Sequence, residues 1–153
     1  MANLLKNPGF ENGLDAWTST NVYLYDFIQF EGTASAQMGP GIANLFQDVP
    51  FDPMHAKPKS YLFSFALAGL TFSPGDIRAR VVWLDAQGND LGTGLEIYVP
   101  SFTMDVQFLW LTQVGVTAAA PSGVATVRVE FSKASGLVDG IALVDQVVLS
   151  PLA

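Results

Sequence analysis

Apolar and polar positions in this chain follow a period of two over short runs, and almost nowhere a period of 3.6. No window of a dozen residues carries a capped amphipathic helical stripe. Short runs rich in Val, Ile, Phe, Tyr and Thr, broken by Gly, Pro, Asn and Asp, predict strands instead. They fall near Asn3–Asn7, Val22–Phe30, Ala34–Met38, Ala43–Val49, Ser60–Gly69, Ile77–Asp85, Gly94–Val99, Phe108–Val116, Ala125–Ser132 and Ile141–Leu149. In one of them Val127, Val129 and Phe131 share a parity and Arg128, Glu130 and Ser132 take the other, so one face is buried and one is wet. Two others do not alternate. Val22–Phe30 sets Tyr23, Tyr25 and Phe27 against Val22, Leu24, Ile28 and Phe30, and Ser60–Gly69 sets Tyr61, Phe63, Phe65 and Leu67 against Leu62, Ala66 and Ala68. Such strands are covered on both faces, by a loop, a ligand or a neighbouring subunit.

The turns carry their own signals. Asp85-Ala86-Gln87-Gly88-Asn89-Asp90 supplies the Gly and Asn that a hairpin needs for positive φ, and Pro121-Ser122-Gly123 separates two later strands. About ten short strands at this spacing predict an all-β fold, a two-sheet antiparallel β-sandwich, filling residues 1–153 as one domain.

Composition narrows the functions. Half of the residues are apolar and 14% are charged, against about a quarter in an average protein, so some surface is expected to be covered by a partner or ligand. The net charge is −7, with seven scattered Lys plus Arg. A phosphate backbone would be repelled, which excludes nucleic acid as a partner, and anionic lipid is disfavoured for the same reason. With no cysteine there is no disulfide, thiolate metal site or Cys nucleophile. No apolar run has the length of a membrane span. Residues Met1 to Lys6 show no charged leader followed by an apolar run, so no signal peptide is visible.

The opening Asn3-Leu4-Leu5-Lys6-Asn7-Pro8-Gly9-Phe10-Glu11-Asn12-Gly13-Leu14-Asp15-Ala16-Trp17 resembles the start of bacterial carbohydrate-binding modules of the galactose-binding-like jelly-roll type. Further matches follow in order: Glu31-Gly32-Thr33-Ala34, Phe46-Gln47-Asp48-Val49, Tyr61-Leu62-Phe63-Ser64-Phe65, Val82-Trp83-Leu84-Asp85 with Gly88, Trp110, Ala120-Pro121, and Asp145-Gln146-Val147-Val148-Leu149. The chain departs from the pattern at Gln146, where the family often has a second Asp. The resemblance implies a jelly roll, and a structural Ca²⁺ held by Glu11, a backbone carbonyl near Gly32, and Asp145. Carboxylates and carbonyls are the hard oxygen ligands that this ion takes. The alternative is that Glu11 caps a turn and Asp145 accepts backbone N–H groups.

Tyr and Trp rings stack on sugar C–H faces while their polar tips bond hydroxyls. Trp17, Trp83 and Trp110 stand at positions that the resemblance makes core. Tyr23, Tyr25, Tyr98 and Phe102 are therefore the aromatic candidates for ligand contact, with Asp26, Gln29, Gln37 and Arg80 as polar neighbours. The sole histidine, His55, lies in a Pro-punctuated loop and builds no relay. Asp76, Asp85, Asp90, Glu96, Asp105 and Asp139 mostly sit in turn-like contexts, and nothing marks two of them as facing one cleft, so no enzyme is expected. The expected function is recognition of a polysaccharide or surface glycan, in an extracellular or cell- or spore-surface setting. The alternative is a structural protein of a cell, spore or virion surface, assembling as a homo-oligomer or filament through sheet edges.

Overall fold

The computed structural model describes residues 2–51, 60–136 and 140–152. Their ten strands are β1 (Thr18–Thr20), β2 (Val22–Tyr25), β3 (Ser35–Met38), β4 (Ala43–Pro50), β5 (Tyr61–Gly69), β6 (Ile77–Leu84), β7 (Asp90–Val99), β8 (Leu111–Val116), β9 (Thr126–Lys133) and β10 (Ala142–Pro151), with a short 3-10 helix at Ser101–Met104. They form two five-stranded sheets. The front sheet has the order β1-β4-β9-β6-β7 and the back sheet β2-β3-β10-β5-β8, and the paired strands run antiparallel. This is the β-sandwich that the strand spacing predicts.

The alternation of β9 is realised residue by residue. Val127, Val129 and Phe131 are fully buried, whereas Arg128, Glu130 and Ser132 face outward. Phe131 meets Phe63 and Phe65 of the back sheet at ring-centroid distances of 6.0 and 5.0 Å, and Trp17 at 6.5 Å. Trp83 packs on Tyr61 at 5.9 Å. A Cβ at Gly94 would stand 2.5 Å from the Trp83 ring, so only glycine lets β7 pass over that indole. The expected core roles of Trp17 and Trp83 hold: both are buried. Trp110 differs. It is half-buried just before β8 and packs edge-on against Phe30 at 5.9 Å, away from the inter-sheet core.

Three predicted elements change. Asn3–Asn7 is not a strand. It nevertheless runs beside the second half of β10, where Leu4 N–H donates to Leu149 O, the Asn3 amide donates to Val147 O, and Leu149 N–H donates to Asn3 Oδ1. The Asn3 side chain thus substitutes for a ladder. The predicted strand Val22–Phe30 stops at Tyr25, and residues 26–34 fold over the back sheet instead. The predicted Phe108–Val116 begins only at Leu111. The Asp85 hairpin forms as expected: Gly88 has φ +83°, and Asp85 Oδ1 accepts the Gln87 and Asn89 N–H groups. His55 and Asp139 lie outside the described residues.

Phe131 joins the two layers, so Phe131→Ala should lose about 3–5 kcal/mol of unfolding free energy in urea titration. Val114→Ala, at a position 62% exposed, should change it by about 0.5 kcal/mol or less.

Candidate functional site

Each sheet has an outer face, and the two differ in chemistry. On the back sheet, registers place Tyr23 beside Gln37, which has Leu143 on its other side, and Tyr25 beside Ser35. Asp145 follows opposite Ala66. The segment 26–34 closes the middle of this face. Phe30 and Glu31 N–H groups donate to Asp145 Oδ2, Ser35 Oγ donates to Ile28 O, and the Phe30 ring rests on Trp110. Leu143, Ala66 and Ala68 are buried beneath, although they stand apart from the inter-sheet core. The apolar second face of β5, for which the cover was expected to be a loop, a ligand or a neighbouring subunit, is covered over Ala66 and Ala68 by the chain itself. Gln29 lies within this loop, and its Oε1 is buried without a hydrogen-bond partner.

Glu11, Gly32 and Asp145 do come together, on the same loop. Glu11 Oε1 accepts from Thr33 N–H and Oγ1–H, and its Oε2 accepts from Ala34 N–H. These bonds, led by that from the Thr33 backbone, hold the exposed Glu11 carboxyl below its ordinary value. Gly32 has φ +73°, and a Cβ there would lie 2.4–2.7 Å from the Glu11 carboxylate atoms, so glycine is required. Asp145 is 0% exposed. Burial pushes its carboxyl up to about 6, and the neighbouring charge of Glu11 adds to that, against the lowering effect of N–H bonds from Glu31, Gln146 and Phe30. It sits at a bulge in β10 where Gln146 has φ +48°. Both carboxylates therefore accept backbone N–H groups. They also repel one another, and no cationic side chain is among their partners in the described residues. Two like charges thus close on one loop, with their oxygens engaged by N–H donors as the alternative reading expects, and among the described residues no group of three or more His, Asp or Glu side chains stands where it could hold a metal ion.

The outer face of the front sheet is polar and ordered in rows across the strands. One row runs Thr20, Asn44, Ser132, Arg78, Tyr98; the next runs Thr18, Phe46, Glu130, Arg80, Glu96; a third runs Asp48, Arg128, Val82, Thr93. At about 4.8 Å per strand, five strands give a platform the length of a short oligosaccharide. All three arginines of the chain stand on it. Arg128 holds Asp48 in a two-pronged fork at 2.7 and 3.0 Å, Arg78 pairs with Glu96 at 3.2 Å, and Arg80 pairs with Glu130. The carboxylate partners hold Arg80 and Arg128 above the ordinary guanidinium value. Both aromatic rings of the face are capped by guanidinium groups, Phe46 by Arg128 at 4.1 Å and Tyr98 by Arg78 at 4.6 Å. The Tyr98 hydroxyl donates to Asp76, which also accepts the Ser101 N–H. That hydroxyl bond, the larger effect, keeps the Asp76 carboxyl low, and the same bond raises the Tyr98 phenol. At one rim, Ile42, Asp76, Arg78, Ser132, Lys133 and Ala134 line a pocket of about 290 Å³.

The aromatic candidates consequently do not form one site. Tyr98 and Arg80 belong to the front face; Tyr23, Tyr25 and Gln29 belong to the back; Phe102 projects from the 3-10 helix, 73% exposed. Glu96 lies mid-strand rather than in a turn. Phe46, Asp48, Arg78, Arg128 and Glu130 share the front face without being among the candidates expected from the sequence. The signal that marks them is the outward parity of charged residues within β4, β6 and β9.

No family model matches the sequence, and no characterised protein matches it at the level of sequence. Solved structures do match its fold. The tailspike protein 4 enzymatically active domain of bacteriophage CBA120 has a TM-score of 0.76 at 16% identity over 98% of this chain, which spans 21% of that chain. A family 16 carbohydrate-binding module has a TM-score of 0.72 at 16% identity, over 96% of this chain and 99% of that one. The module TmCBM61, solved with β-1,4-galactotriose, has a TM-score of 0.67 at 19% identity, over 97% and 98%. An arabinofuranosidase and a cyclase are also similar in fold. At these identities the likeness is one of fold: a two-sheet jelly roll whose structural neighbours include several carbohydrate-binding modules.

Proposed function

We propose that this chain is a non-catalytic carbohydrate-binding domain that takes a polysaccharide or surface glycan across the outer face of its front sheet. The observation that carries this reading is the set of polar rows on that face, with three Arg–carboxylate pairs and two guanidinium-capped rings on one rigid sheet. A sugar presents hydroxyls that both donate and accept. Paired guanidinium and carboxylate groups answer both demands, and a sheet holds them in place before the ligand arrives. The fold likeness to carbohydrate-binding modules, one solved with a galactotriose, supports the class of ligand. The ordered resemblance of the sequence to galactose-binding-like modules supports it further, and an extracellular or surface setting is part of the proposal. Catalysis is not proposed, because Asp48, Glu96 and Glu130 are each matched to an arginine instead of facing one another as a working acid–base pair.

The Tyr pair of the back sheet discriminates between the two faces. In affinity electrophoresis against a panel of soluble polysaccharides, Arg80→Met should weaken retardation by about tenfold, since hydrogen bonds to charged groups contribute ~1.5–3 kcal/mol. The double variant Tyr23→Ala/Tyr25→Ala should bind like the parent. The opposite pattern would move the site to the back sheet.

The same reading includes a structural Ca²⁺ held by Glu11 and Asp145, with the loop at Gly32 contributing carbonyl oxygen. Bound there, the ion would supply the positive charge that these carboxylates lack and would pin the loop over β10. Calcium at about a hundred times its dissociation constant should add ~2.7 kcal/mol of stability. In a melt with calcium against one with chelator, that raises the midpoint by roughly 5–10 °C. Asp145→Asn should abolish the difference. Identical melts for the parent protein would remove the ion from the account.

A further inference from the structure

Resting on the carbohydrate reading, we infer that the front face selects uncharged glycans and rejects uronate- or sulfate-bearing ones. The chain has seven cations in all, and its three arginines are gathered on this face, which at first sight suits an anionic ligand. Each is already matched, however: Arg78 by Glu96, Arg80 by Glu130, Arg128 by Asp48. Two further carboxylates flank the rows, Asp76 at one rim and Asp90 at the start of β7. Lys133, at the Asp76 rim, is 1% exposed, and its ammonium donates to Gly41 O and Ala134 O. At the opposite margin Lys6 lines a small pocket together with Asp48. Among the described residues the face therefore carries no surplus of positive charge, in a protein of net charge −7.

The consequence differs for the two kinds of glycan. An acidic group that claimed a guanidinium would leave the displaced carboxylate facing another anion, and like charges juxtaposed at a contact oppose binding strongly. A hydroxyl asks for no such exchange. A guanidinium has five N–H donors, and Arg80 and Arg78 each use one of them in a hydrogen bond among the described residues. The open donors, together with the free lone pairs of Glu96 and Glu130, can take up hydroxyls with every ion pair intact. The substrate class is thus a neutral polymer of hexoses or pentoses, read by paired charges that cancel.

The test is affinity electrophoresis with β-1,4-galactan, xylan and other neutral polymers on one side and polygalacturonate on the other, at low and at high salt. The expected result is retardation by a neutral polymer that salt hardly alters, with polygalacturonate weaker by about tenfold or more. The double variant Glu96→Gln/Glu130→Gln, which frees two guanidinium groups, should gain salt-sensitive retardation by polygalacturonate. Retardation of the parent protein by polygalacturonate as strong as by any neutral polymer, or a double variant that gains none, overturns the inference and leaves the carbohydrate reading standing. Retardation by no polymer of either kind overturns the carbohydrate reading, and this inference with it.

Discussion

The inter-sheet contact of Phe131 with Phe63 and Phe65 governs what the rest of the molecule can present. Side chains alternate along a strand, so turning Phe131 inward turns Arg128, Glu130 and Ser132 outward. β9 lies at the centre of the front sheet, between β4 and β6, and its register sets theirs. Through it Phe46 and Asp48 on one side, and Arg78 and Arg80 on the other, are brought into the same rows. A slip of one residue would carry the arginines into the core and the phenyl ring into water, a change that the packed ring cluster forbids. The polar face is thus a product of the aromatic core behind it.

The two sheets handle their outer faces differently for a physical reason. The front sheet offers charges in pairs, which are stable in water and leave donors and acceptors free. The back sheet carries Leu143, Ala66 and Ala68 outward, where the chain itself buries them, and the segment 26–34 is tied to this face through Asp145 and Ser35. That loop is held less by its own sequence than by two carboxylates from distant parts of the chain, Glu11 and Asp145. Covering the back face costs the burial of an acidic group, which is why the Glu11–Asp145 clamp and the front face raise separate chemical questions.

Much of the fold is legible in the sequence. The alternation Val127–Ser132, the Asp85–Asp90 turn and the strand spacing follow from local rules of period and turn chemistry, and the structure repeats them. The loop at 26–34 was not legible, because Phe27, Ile28 and Phe30 read as a continuing strand. After Tyr25 the chain is instead tied by a tertiary contact, the Phe30 N–H donating to the Asp145 carboxylate more than a hundred residues away. The site was only half legible. Arg80 and Tyr98 could be singled out as residue types, but the fork between Arg128 and Asp48 joins positions 80 residues apart, and no local pattern announces it. Tyr23 and Tyr25 lie on the opposite side of the sandwich from Arg80, so residue type alone does not gather the candidates on one face, whereas the outward parity of charged residues within strands places Arg78, Arg80, Arg128 and Glu130 together.

The central claim is that ligand recognition belongs to the front sheet. It is tested most directly by amide chemical-shift mapping of the labelled protein titrated with neutral oligosaccharides such as β-1,4-galactotriose. The account predicts that the shifted amides cluster in β4, β6, β7 and β9 around Phe46, Arg80, Glu96 and Glu130, while Tyr23–Tyr25 and β8 stay in place. Shifts confined to Tyr23–Gln29 and the back sheet would contradict it.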